Sequence, residues 1–358
     1  MNLLKKKEFF FYIFLFIFIS YLSNYIFASE FTNPNIHIGW FQKSLYELNY
    51  FDFGFIKRGL IGSIVKLSSI NFDFIIKIIS SLLVFFIAIT YSIIILKQKD
   101  TQIIKYLLLF GVSPFFFSNI GLDLGRLDHF GLLFFILYIL AILNNKNVYF
   151  FILTSPFLLF ISEIHFFTVS IFIIYNQLFF KRIDRYLLFN IFLTILILLI
   201  ILLFGGMDKE LVNLYKDTNY AVDIYFLRGQ IETSVYFWKL IFNFQETGIY
   251  RHLFSILLYI FVCFFYIKYI DKSFKSILLM IVYFTTFIIG IDHARFFSIF
   301  LFNIFFIIFL NHQINYKIYL PKFKNIFFFI VVIGPWGINK AFPMLTIIKK
   351  LFYKQIMF

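Results

Sequence analysis

The chain has 358 residues, of which 62% are hydrophobic, and a mean hydropathy of +0.91. That is well above the roughly 45–50% apolar content of a soluble domain, and it excludes an ordinary globular protein. One cysteine, Cys263, excludes an intrachain disulfide and a cysteine metal site, and a net charge of +14 carried on short basic loops describes membrane topology rather than a nucleic-acid surface.

Several apolar runs exceed the ~18 residues that mark a membrane span, and they are continuous rather than alternating, unlike barrel strands. The expected fold is therefore all-α, polytopic, with about eleven spans. The first, about 8–28, follows Lys5-Lys6-Lys7. Its apolar core is longer than the ~7–15 residues of a cleaved signal, so it reads as a retained anchor with a cytoplasmic N-terminus.

Residues 29–72 form a first external segment. Ile38, Phe41, Leu45 and Leu48, then Ile56, Leu60, Ile64 and Leu67, recur at helical spacing, which predicts helices lying in the interface plane. The second span, about 74–96, returns to Lys97 and Lys99. The third, about 106–120, exits at Gly121-Leu122-Asp123-Leu124-Gly125-Arg126, and the fourth covers about 130–143. Spans over about 148–162 and 166–180 make a hairpin with Ser162-Glu163-Ile164-His165 at its outer tip and the basic loop 181–185 behind it.

The seventh span, about 186–204, leads into a large polar loop, 205–251. Three more spans follow, about 252–268, 276–290 and 296–310, the last two separated by Gly290-Ile291-Asp292-His293-Ala294-Arg295. An apolar run over about 326–343, broken by Gly334-Pro335 and Pro343, ends the series. Inner loops are mostly Lys and Arg, whereas outer junctions mix acid, Arg and His.

Three outer stretches carry residues suited to chemistry. In 52–62, Asp52 suits a general base, while Lys57 and Arg58 suit phosphate, as a point charge and a two-pronged donor. Gly54, Gly59 and Gly62 allow close backbone approach. The structural alternative is an interfacial helix with snorkelling cations and an Asp–Arg pair. The pattern Gly-apolar-Asp-x-x-Arg occurs twice, with Asp123 and Arg126, and with Asp292 and Arg295. Residues three apart share a helical face, so each Asp can orient its Arg, with His129 and His293 alongside; a helix cap paired with an interfacial Arg is the plainer account. Glu163 and His165, two apart, do not share a face and can simply cap the hairpin turn. Oxygen ligands for a divalent cation exist in Asp52, Asp123, Asp128, Glu163 and Asp292, but no spacing specifies a metal, and no cofactor motif is present.

A catalytic acid in the first external segment, interfacial helices and Arg-bearing helix ends together resemble the multi-pass glycosyltransferases of the GT-C superclass. The size, Phe/Ile-rich composition and single large external loop resemble O-antigen and capsule repeat-unit polymerases. The resemblance implies a polyprenyl-pyrophosphate-linked oligosaccharide as substrate and the outer face of a bacterial inner membrane as the site. It implies Asp52 as base and Arg58, Arg126 and Arg295 as contacts to the pyrophosphate, with a chain-length regulator as a partner alongside the bilayer. The motifs themselves add Asp123 and Asp292 as candidate catalytic residues, and Lys57, His129, Glu163, His165 and His293 as candidate substrate-binding residues. Two departures stand against the resemblance. No external Arg is followed eleven residues later by Gly, as in some polymerases, and the large loop has no His before His252, unlike O-antigen ligases. A single-sugar transferase and a lipid-linked oligosaccharide flippase are the competing classes. A flippase would place charges near the midplane of repeated halves.

Overall fold

The computed structural model describes residues 3–27, 38–68, 70–113, 116–180, 184–207, short stretches between 232 and 267, 274–286 and 293–315. The described residues are all-helical, with no strand among them. Among the described residues four helices are long and apolar enough to cross a membrane: Lys5–Tyr25, Phe72–Lys97, Thr101–Leu122 and Arg185–Phe204. Shorter apolar helices accompany them. The last apolar run, 326–343, and nearly all of the loop 205–251 lie outside the described residues.

The chain divides into two units, one of residues 1–97 and 120–233, the other of 98–119 and 234–358. In the first, α1 (Leu3–Phe27) and α8 (Asp128–Leu143) pack on α5 (Phe72–Lys97). Phe16 of α1 meets Tyr91 of α5 edge-on at 5.3 Å. Asn24 of α1 donates to the Gly121 carbonyl at 3.0 Å, at the end of α7 (Phe117–Leu122). Between α1 and α5 lie three short helices, α2 (Trp40–Glu47), α3 (Tyr50–Phe53) and α4 (Gly59–Leu67). In the second unit, α13 (His293–Asn315) stacks Phe305 on Phe110 of α6 (Thr101–Val112). Tyr283 of α12 (Phe274–Phe284) accepts from Asn303 of α13.

The short helices correct the expected stripe. Ile38, Leu45, Leu48 and Ile56 are buried as the spacing requires, but Ile64 and Leu67 are 56% and 69% exposed. Helix α4 instead buries Ile61 and Val65 with Gly59, Gly62 and Ser63. The reason is Gly62: a Cβ there would sit 1.8 Å from the Leu48 carbonyl oxygen, so only this face can lie against the end of α2.

The hairpin is irregular. Helix α9 (Tyr149–Thr154) tightens into a 3-10 segment, Ser155–Phe160, and after the turn at 161–165 a π-helical turn, Phe166–Ser170, enters α10 (Ile171–Phe180). Pro156 has no N–H to offer the Ile152 carbonyl four residues back. Asn190 of α11 (Arg185–Phe204) supplies the missing donor, and also donates to Ser155 Oγ at 2.9 Å. Helix α11 turns Asn190, Thr194, Ile197 and Ile201 inward and exposes Phe192, Leu199 and Leu203. A helix that buries its polar stripe and exposes its apolar one reverses the soluble pattern, as a bilayer demands.

Candidate functional site

The stretch from Asn49 to Ser63 is held at both ends by local hydrogen bonds. Asn49 caps α3, accepting from the Asp52 N–H at 2.9 Å and donating to Asp52 Oδ2 at 2.8 Å. Ser63 Oγ accepts from the Tyr50 N–H at 2.8 Å and donates to the Gly59 carbonyl at 2.7 Å. Between them the backbone turns through two positive-φ residues, Gly54 at 66° and Arg58 at 67°. Only glycine adopts that φ freely, so Arg58 is held in a conformation that costs of order 1–2 kcal/mol. The Lys57 N–H donates to the Gly205 carbonyl at 3.1 Å, which fastens the turn to the end of α11.

This shape delivers Arg58 to Glu163. The guanidinium engages both carboxylate oxygens, Nε to Oε2 at 2.8 Å and Nη2 to Oε1, with side chains 15% and 16% exposed. Such a two-pronged charge-assisted pair is among the stronger polar contacts a protein makes. Burial pushes the Glu163 carboxyl up, but Arg58, with Lys57 behind it, outweighs that and holds it down at about 2. Lys57 is 3% exposed. Burial pulls its ammonium down to about 8, Glu163 opposing and Arg58 reinforcing the shift.

The expected Asp52–Arg58 partnership is not formed. Asp52 takes Lys66 of α4 instead, and the bonds from Lys66 and Asn49 lower its pKa. An acid so placed stays ionised, which favours a fixed anion over a strong base.

The Asp123–Arg126 pair does form, at 3.5 Å with Arg126 3% exposed, but not on a helical face. Helix α7 stops at Leu122 and α8 starts at Asp128. The pair closes across a turn in which Gly125 has φ 93°. Gln42 of α2 donates to Asp123 Oδ1 at 3.5 Å, and the turn lies against Ile38, Gln42 and Ser80. His129, in the first turn of α8, is buried, and so is His165. The His165 ring lies over Gly131 of α8, its Nδ1 2.2 Å from where a Cβ would stand.

Three charged stretches therefore meet. Ile56 and Leu127, neighbours of Lys57 and Arg126, belong to one buried apolar cluster, and Ile161 of the Glu163 turn packs against it. Lys57, Arg58 and Glu163 are brought together, His165 lies two residues on against Gly131, and the Asp123–Arg126 turn leads into His129 at the start of α8. Asp292 lies outside the described residues; His293 and Arg295 open α13 in the second unit. Lys66, Asn49, Gln42 and Gly131 were not singled out from sequence. Of these only Gly131, a glycine inside an apolar helix, gave a readable signal. Among the described residues no three of His, Cys, Asp and Glu gather as a metal site.

Helices of this length and apolarity, with partly buried ion pairs on the segments joining them, define a helical membrane protein. Searches of family models, curated proteins and solved structures found no match to this chain.

Proposed function

We propose that this chain is a membrane-embedded glycosyltransferase of GT-C type, with about eleven spans, acting on polyprenyl-pyrophosphate-linked glycans as a repeat-unit polymerase. It would work at the outer face of a bacterial inner membrane, its N-terminus cytoplasmic, alongside a chain-length regulator. The observation that carries the reading is the buried Lys57 beside the partly buried Arg58, on a braced turn against Glu163. Two adjacent cations suit a departing pyrophosphate, where negative charge develops during glycosyl transfer. Arg126 on the neighbouring turn adds a third cation, oriented by Asp123. Asp52, held as an anion by Lys66 and Asn49, would serve as the acceptor's base or as a fixed negative charge.

Surface polysaccharide from a strain lacking the gene, resolved on a gel, tests this. Wild type restores a ladder of repeat lengths, and Arg58→Gln or Arg126→Ala leaves a single repeat unit. One missing sugar with the ladder intact would make the protein a single-sugar transferase. Complete lipid-linked units trapped on the cytoplasmic face would make it a flippase.

A further inference from the structure

We propose that Glu163 holds the place of a ligand phosphate: a pyrophosphate-bearing lipid takes the Arg58 fork from Glu163, and the carboxylate swings aside. This deepens the reading above and rests on it for the ligand's class.

Four observations point this way. A carboxylate and a phosphate each offer two oxygens to a guanidinium in the same parallel geometry, and Glu163 takes the Nε and Nη2 donors of Arg58 in that way. Lys57 and Arg58 both act on the Glu163 carboxylate, Arg58 through the two-pronged pair and Lys57 from the adjacent position on the same turn. A more highly charged anion satisfies the two cations better than Glu163 does.

The third observation concerns what can move. The cations sit on a turn fixed by Ser63 at one end and Gly205 at the other, with Arg58 locked at φ 67°. Glu163 sits on a short turn between 3-10 and π-helical segments, whose hydrogen bonding is less regular than an α-helix. Fourth, two residues further on, His165 is anchored over Gly131. The turn therefore stays in place while the Glu163 side chain rotates away from Arg58.

Calorimetric titration of the purified full chain in detergent, with farnesyl pyrophosphate and with inorganic pyrophosphate as probes, tests the exchange. Removing the competing charge in Glu163→Gln is expected to tighten farnesyl pyrophosphate binding about tenfold, equivalent to one decade of Kd. Glu163→Asp keeps the charge but shortens its reach, and binds tighter by a smaller factor; it carries the test if the Gln variant does not fold. Arg58→Gln loses binding in either background. Inorganic pyrophosphate bound as tightly as the farnesyl compound would assign the site to free anion; a clear preference for the farnesyl compound assigns it to a lipid headgroup. Variants at 163 that bind no tighter than wild type overturn the exchange while leaving the glycan ladder to decide the enzyme reading. Tighter binding in a protein that builds no polymer would keep the exchange and remove the glycosyltransferase.

Discussion

Lys57 is where burial and charge meet most sharply. Its folded pKa of about 8 lies below the ordinary 10.5. Between those values the folded chain holds fewer protons than the unfolded one, so stability rises with pH across that window. The cost of burying the ammonium is present in full below pH 8 and relieved as pH approaches 10.5. Anion attraction runs the other way. Farnesyl pyrophosphate affinity is expected to fall several-fold from pH 7 to pH 9 in wild type and to stay flat across that range in Lys57→Met, read by the same titration. Glu163 has the opposite sign: its contribution to stability is present above 4.5 and lost as pH falls through about 2. For Asp52, glycan synthesis by Asp52→Asn separates two roles. A loss of roughly a hundredfold or more marks proton transfer; a change under about threefold leaves Asp52 as a structural partner of Asn49 and Lys66.

At the scale of elements, two glycines and one proline make the sharpest predictions. Gly62→Ala has no room against the Leu48 carbonyl and should cost about 1–3 kcal/mol. Gly54→Ala has open space around it but φ 66°, so its cost is backbone strain, of order 1–2 kcal/mol. Thermal unfolding in detergent measures both. Asn190→Leu leaves the carbonyl that Pro156 cannot satisfy with only the long 3.3 Å bond from Ser155 Oγ, for about 1–3 kcal/mol. Restoring the donor by Pro156→Ala in the same chain should recover part of that loss. Apolar runs of this length were legible in the sequence because a bilayer demands them, and α1, α5 and α11 fall within a few residues of the runs that predicted them. Partner choice was not legible. Nothing in spacing tells that Arg58 reaches Glu163, 105 residues away, or that Lys66 claims Asp52, because both pairings depend on how separate hairpins dock. The phase of α4 was misjudged because apolar periodicity ignores the space a glycine saves.

For the molecule as a whole, sidedness is the property on which the functional reading depends. With Cys263 replaced by Ser, a cysteine placed at the exposed Phe51 should react with a membrane-impermeant maleimide in spheroplasts without permeabilisation. Labelling only after the membrane is opened would put Lys57, Arg58 and Glu163 on the cytoplasmic side and remove the lipid-linked donor from their reach. The two units divide the candidate residues, with Lys57 to His165 in one and His293 and Arg295 in the other.

The hydrogen bond from Lys57 to Gly205 also has a mechanical meaning. Gly205 is the root from which the long polar segment 205–251 departs. A displacement of that root reaches the residue beside Arg58 through this backbone bond, and reaches the apolar cluster of Ile56 and Leu127 through Met207. The hold of the turn on its two cations thereby depends on where the segment is anchored, as a hinge pin feels the weight of the door.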